Sequence, residues 1–220
     1  MILGKNGLKI LAIGAHPDDI ELACGGVISK AVKNDHEVMM VVITGTSSVD
    51  HNNIAIRTDT EVLDEQNKAC KILGISNIKV LGFDDQWVPY SVDLISKLDT
   101  IINEYEPDII FTHFIFDTHQ DHIRAAQSTL SAARKQNTIL LYEPINPSGR
   151  GYVSFRPQVY IDISETLHLK KEALKAHKSQ YEKYGDEWIE AVEARAKYRG
   201  FEMGSQYAEC FEVVRMEINV

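Results

Sequence analysis

The chain has 220 residues, 44% of them hydrophobic and 25% charged, the balance of a globular protein with a sizeable core. A formal net charge of −9 excludes a general binder of nucleic-acid backbones, which needs clustered Lys and Arg, and favours a small-molecule partner. No apolar run approaches the roughly 20 residues that cross a bilayer, and MILGKNGLKILAIG runs into a strand pattern without a cleavable-signal layout, so no membrane span and a cytoplasmic location are expected.

In chain order, apolar runs alternate with segments of helical period. Leu8 to Gly14 reads as a strand, and Val27, Ile28, Ala31 and Val32 give the apolar face of a following helix. The strand Glu37 to Thr44 leads into Thr44 to Asn53, TGTSSVDHNN, a small, polar, aperiodic stretch that reads as a mobile rim. Leu63, Ala69, Ile72 and Leu73 mark a second helix, Ile78 to Phe83 a third strand, and Leu94, Ile95, Leu98, Ile101 and Ile102 a third helix. Strands follow at Asp108 to His113, Thr138 to Glu143 and Gln158 to Ile163. Two helices, about Glu165 to Tyr181 and Asp186 to Tyr198, precede a strand-like EVVRMEI. Short, nearly all-apolar strands separated by helices imply a Rossmann-like, doubly wound α/β fold, its mostly parallel sheet covered on both faces. With no linker, repeat or low-complexity tract, residues 1–220 read as one domain.

Ligands of such sheets bind outside the carboxyl ends of the strands. Two of those ends carry ionisable side chains. The first strand runs into AHPDDIELACGG, Ala15 to Gly26, and the fourth into THFIFDTHQDH, Thr112 to His122. A catalytic divalent metal commonly takes three His, Asp or Glu ligands and leaves one position open. His16 and Asp19, three apart on a tight turn that Pro17 stiffens, could converge on one ion, and either His119 or His122 could complete the set. Asp18 would then stand beside the water that the metal activates, where a general base belongs. The remaining histidine could protonate the leaving group or stabilise an oxyanion, and Asp117 could orient an imidazole. Taken alone, HPDD serves equally well as a helix cap with an acidic first turn; the matching HQDH loop favours the metal.

The remaining candidates are blander. Gly25 and Gly26 suit close helix packing and do not make the GxGxxG phosphate fingerprint. Cys24, Cys70 and Cys210 are odd in number and lack CxxC spacing, so neither a disulfide framework nor a thiolate zinc site is expected. His113 could line the site or be a buried hydrogen-bonded residue, His177 reads as a packing residue on a helix, and Trp87 and Tyr90 read as core or pocket wall. Asp84 and Asp85 follow a strand end, as a solvated turn or as partners of a substrate hydroxyl.

Together these motifs resemble the LmbE-like or PIG-L family of zinc-dependent N-acetylglucosaminyl deacetylases. The likeness extends from AHPDD and HQDH to GFDD (Gly82 to Asp85), KKEALKAHKSQ (Lys170 to Gln180) and YRGFEMGSQYAECF (Tyr198 to Phe211), nearly the whole chain. The resemblance implies that His16, Asp19 and His122 hold Zn2+, that Asp18 is the general base, and that His119 assists as acid or oxyanion stabiliser. It also places Arg57 and Asp85 against substrate. The implied reaction removes an N-acetyl group from an amino sugar and releases acetate. The His2Asp set also suits Fe2+, cobalt or manganese, and the family favours trimers or hexamers. Two rivals compete. A metallo-β-lactamase-like hydrolase would need HxHxDH, where Asp117 stands for the first histidine; a non-catalytic sugar- or nucleotide-binding protein would leave the ligand set and Asp18 without a purpose.

Overall fold

A computed structural model of the chain describes residues 7–45, 58–145, 149 and 151–218. The first strand, β1 (Lys9–Gly14), leads through the HPD turn into α1 (Asp19–Lys33), and β2 (Glu37–Thr44) pairs with β1 in parallel. Next come α2 (Asp59–Leu73), β3 (Asn77–Phe83), α3 (Val92–Tyr105), β4 (Ile109–Thr112), α4 (Gln120–Ala132) and β5 (Ile139–Tyr142). The chain continues with β6 (Val159–Asp162), α5 (Leu167–Ala176), α6 (Lys178–Met203) and β7 (Ala208–Arg215).

Among the described residues these strands form one seven-stranded sheet in the order β3-β2-β1-β4-β5-β7-β6. The pairs from β3 to β5 are parallel, whereas β7 runs antiparallel to both neighbours. Alternate residues of a strand face opposite sides. Accordingly Ile10, Ala12, Val38 and Met40 pack with α1, α2 and α5 in one core cluster, while Leu11, Ile13, Met39 and Val41 pack with α3 and α4 in another. The expected doubly wound, mostly parallel sheet is present.

Differences from the sequence reading lie in the last quarter. The helix expected to run to Tyr181 breaks at His177 (φ −76°, ψ 68°), and Gly185, at φ +67°, interrupts α6 where the second helix was expected to begin. The last strand starts at Ala208 rather than Glu212. The reason is Glu209, which looks like a strand breaker but is buried. Its carboxylate accepts from the Gly26 and Val27 amides and from Lys170 Nζ.

The strand order reverses direction between β1 and β4, because connections step outward to β2 and β3 on one side and to β5 on the other. A crevice at the carboxyl ends of the strands opens at such a reversal. The loops that leave β1 and β4 carry HPDD and HQDH, so the reversal brings the two motifs face to face.

Candidate metal centre and active site

The turn after β1 is tight and held on both sides. A Cβ on Gly14 would stand 2.9 Å from Ile20 Cγ1, so no larger residue fits there without a shift. The Ala15 carbonyl accepts from Thr44 N and Thr44 Oγ1, both at 2.9 Å, and the Ala15 N–H donates to His113 Nε2 at 2.9 Å. Asp19 folds back over the turn, its Oδ2 accepting from His16 N at 2.7 Å. Asp18 between them adopts φ 103° and ψ −26°, a conformation that costs a non-glycine residue about 1–3 kcal/mol. Its side chain makes no capping hydrogen bond to α1, so the helix-cap reading of HPDD is not what the turn does.

The loop after β4 is organised by two carboxylates. Asp117 Oδ1 accepts from Thr118 N and His119 N, and Asp117 Oδ2 lies 2.9 Å from His122 Nδ1. His119 is the N-cap of α4, its Nδ1 accepting from Asp121 N at 3.2 Å. Asp121 is fully buried. Its carboxylate accepts from Gln86 N (2.7 Å) and Val88 N (3.1 Å) and lies 3.0 Å from His16 Nε2. Thus the loop after β3, the β1 turn and α4 meet at one side chain. Asp121 lies inside HQDH, yet its role depends on contacts 105 and 33 residues away that no local pattern signals.

Among the described residues three overlapping trios of potential ligands result: His16, His119 and His122; Asp19, His113 and His122; and His16, Asp85 and Asp121. Hydrogen bonding decides which nitrogen lone pairs remain open, because a neutral imidazole has one donor and one acceptor nitrogen. His113 Nε2 lies 2.9 Å from the Ala15 N–H and 3.1 Å from Asp19 Oδ2. A backbone N–H can only donate, so this nitrogen is an acceptor and its lone pair is taken. The His119 Nδ1 lone pair is taken by Asp121 N–H, which puts the proton of that ring on Nε2. His16 turns Nε2 to Asp121 and, at 3.1 Å, to Asp85, leaving Nδ1 facing Asp19 at 3.4 Å. His122 turns Nδ1 to Asp117, leaving Nε2 at 3.3 Å from Asp19 Oδ1. The nitrogens that Asp121 and Asp117 do not hold, His16 Nδ1 and His122 Nε2, therefore both face the Asp19 carboxylate. Each imidazole is backed by a carboxylate on its far nitrogen, the arrangement that orients metal-binding histidines.

Electrostatics follow this geometry. Burial disfavours charge on His122, but Asp19 and the bond to Asp117 outweigh it and raise its pKa to about 9. His16 is likewise raised well above the usual range, burial being outweighed by hydrogen bonds to Asp121, Asp19 and Asp85. Asp19 is held well below its usual value, because the His122 charge overcomes burial. His119 goes the other way: burial, then His122 and His16, push it down to about 4. That ring is therefore a neutral Nε2–H donor near pH 7. Beside Asp19 and His122 a small pocket continues past Phe114 and Tyr142 to Glu143 and Ile145.

His16, Asp18, Asp19, Asp85, Asp117, His119 and His122 are thus neighbours around one crevice, whereas Arg57 and most of the TGTSSVDHNN stretch lie outside the described residues. One oxygen of the Asp85 carboxylate, Oδ1, lies 3.1 Å from His16 Nε2. Glu21, in the first turn of α1, is fully buried, accepts from Gln66 Nε2 at 2.6 Å, and lies 3.3 Å from His177 Nε2. Trp87 is not core, being 80% exposed.

A family model described as PIG-L, GlcNAc-PI de-N-acetylase, matches residues 11–133, more than half of the chain and the span from β1 through α4 that carries both motifs. The chain belongs to the PIG-L family. The uncharacterized deacetylase YaiS of Escherichia coli is 39% identical, over 77% of this chain and 90% of that protein. The diacetylchitobiose deacetylase of Thermococcus kodakarensis is 27% identical, over 91% of this chain and 81% of the other. Among solved structures, the conserved protein TT1542 from Thermus thermophilus superposes with a TM-score of 0.82 at 25% identity, covering 97% of both chains. The PIG-L residues of this chain therefore sit on a fold that a family relative's length and a solved structure both span almost entirely.

Proposed function

We propose that this PIG-L chain is a metal-dependent N-deacetylase that hydrolyses the N-acetyl group of an N-acetylglucosamine-type sugar and releases acetate. The observation that carries the reading is that His16 Nδ1 and His122 Nε2 both face the Asp19 carboxylate, at 3.4 and 3.3 Å, next to a strained aspartate. Two imidazoles and one carboxylate suit zinc and also Fe2+, cobalt or manganese. The bound ion supplies Lewis-acid polarisation of the amide carbonyl and lowers the pKa of water. Family membership and the names of two relatives, both deacetylases, support the reaction class.

The chain's own residues supply the rest. Asp18, adjacent in sequence to Asp19 but turned by its positive φ, takes the proton of the attacking water. His119 stays neutral and donates its Nε2–H to the oxygen on which negative charge develops, which makes it an oxyanion stabiliser in the resting protonation state. Asp121 holds His16 Nε2 and Asp117 holds His122 Nδ1, so that the other nitrogen of each ring faces Asp19. Asp85 accepts from a sugar hydroxyl.

The test is acetate release from N-acetylglucosamine, N,N'-diacetylchitobiose and N-acetylglucosaminyl malate, before and after chelation and after each divalent metal is restored. The reading expects release from at least one sugar, loss on chelation and recovery with metal. Metal-independent release, or none from any N-acetyl sugar by metal-loaded protein, would contradict it.

A further inference from the structure

Trp87 is a puzzle beside the crevice, because a big apolar ring left 80% exposed forgoes its burial energy. Its backbone is nonetheless fixed. The residues on either side, Gln86 and Val88, donate their N–H groups to the Asp121 carboxylate at 2.7 and 3.1 Å, and the Trp87 N–H donates to Asp84 O at 3.3 Å. Val88 is buried, and Gln86 takes φ +67°, so the chain turns sharply before the indole and is anchored after it. Asp121 is also the partner of His16 Nε2. The indole is therefore carried by backbone that shares a carboxylate with a proposed metal ligand.

An exposed ring on a rigid mount next to a reaction centre is suited to bind a ligand with a matching flat apolar face. A pyranose offers one in its axial C–H bonds, while its hydroxyls need polar partners close by. Asp85, two residues before Trp87 and 3.1 Å from His16 Nε2, provides an acceptor. Asp84 and Asp85 together make the approach anionic, which disfavours phosphate-bearing sugars and favours neutral ones.

We propose that Trp87 is a specificity-determining platform on which a neutral sugar ring of the substrate stacks. The inference rests on the amino-sugar reading above and extends it to the ring and charge that the site selects. The chain has two tryptophans, and Trp188 packs beside the Leu174, Ile189 and Val192 cluster. Trp188→Phe therefore leaves Trp87 as the single indole emitter.

The experiment titrates metal-loaded Trp188→Phe protein with N,N'-diacetylchitobiose, N-acetylglucosamine, UDP-N-acetylglucosamine and acetamide while following indole emission. In parallel it compares acetate-release kinetics and sedimentation of Trp87→Ala and Trp87→Phe with the parent. The expected result is a saturable emission change with the neutral sugars and little with acetamide or the nucleotide sugar. Trp87→Ala should raise KM about fivefold to tenfold at nearly constant kcat, with Trp87→Phe recovering part of the loss and sedimentation unchanged. A parent KM in Trp87→Ala, an emission that sugars leave untouched while turnover proceeds, or a changed oligomeric state in Trp87→Ala would overturn it. Saturable sugar binding without acetate release would leave Trp87 as a sugar platform and remove the deacetylase reading instead, so the two failures are distinguishable.

Discussion

Asp18 keeps a φ of 103° although a glycine at that position would hold the turn without strain. Such strain persists where the surrounding structure fixes it, and here Ala15, Asp19 and Thr44 hold the turn from both ends. Retaining a strained aspartate is understandable if its carboxylate does chemistry that glycine cannot do. Asp18→Gly is therefore expected to be as stable as the parent or up to about 1 kcal/mol more stable, while losing turnover; paired denaturant melts and acetate assays check both halves. The residues themselves were legible: HPDD and HQDH stand out by their composition and by their place after strands. Their division into ligands and helpers was not. Family resemblance ranked His122 above His119, and the physical ground for that ranking is which lone pairs Asp121 N–H and Ala15 N–H consume. The first is a local bond at the start of α4, whereas the second depends on the fold, His113 meeting Ala15 across 98 residues.

Helix α1 joins the HPDD turn to the rest of the molecule, and it does so while broken. Cys24 leaves the helical region (φ −142°, ψ 21°), and just after it the amides of Gly26 and Val27 donate to Glu209 of β7 at 3.1 and 2.7 Å. Lys170 of α5 balances that carboxylate at 2.5 Å, and both side chains are almost fully buried. The two glycines permit the approach: a Cβ on Gly26 would stand 2.8 Å from Ile163 Cδ1. Glu209→Ala leaves a buried lysine and two amides without their acceptor, so a loss of about 3–5 kcal/mol is expected from chemical denaturation. Glu209→Ala together with Lys170→Met should recover much of it. A change below about 1 kcal/mol in the single variant would show that the pair does not brace α1. Most elements could be read from period and run length, since β1, β2, β4 and β5 are short apolar runs and the helices between them amphipathic. The end of the chain could not, because a buried glutamate in β7 and a helix break at His177 stabilised by tertiary contact both run against local pattern.

At the scale of the whole molecule, the parallel β1, β2, β3, β4 and β5 place every strand-to-helix loop on one edge, and the reversal between β1 and β4 selects which two loops face each other. Alternating strands and helices implied the common edge from sequence alone. The strand order itself, and the antiparallel insertion of β7 between β5 and β6, carry no local signal and follow from which faces must be covered. The site therefore arises where the topology forces an opening, and the ionisable residues at the β1 and β4 ends occupy it. No helix among the described residues is long and apolar enough to cross a membrane.

The central claim is that one group of side chains holds a metal while an adjacent one moves a proton. Metal content and acetate turnover, measured together on Asp18→Asn and His122→Ala, test that claim most directly. Asparagine tolerates positive φ and preserves the shape of the turn while removing the base, so Asp18→Asn should keep the parent's metal and lose about 10²- to 10⁴-fold in turnover. His122→Ala should lose both metal and activity. Parent-like turnover in metal-loaded Asp18→Asn, or full metal retention in His122→Ala, would contradict the account.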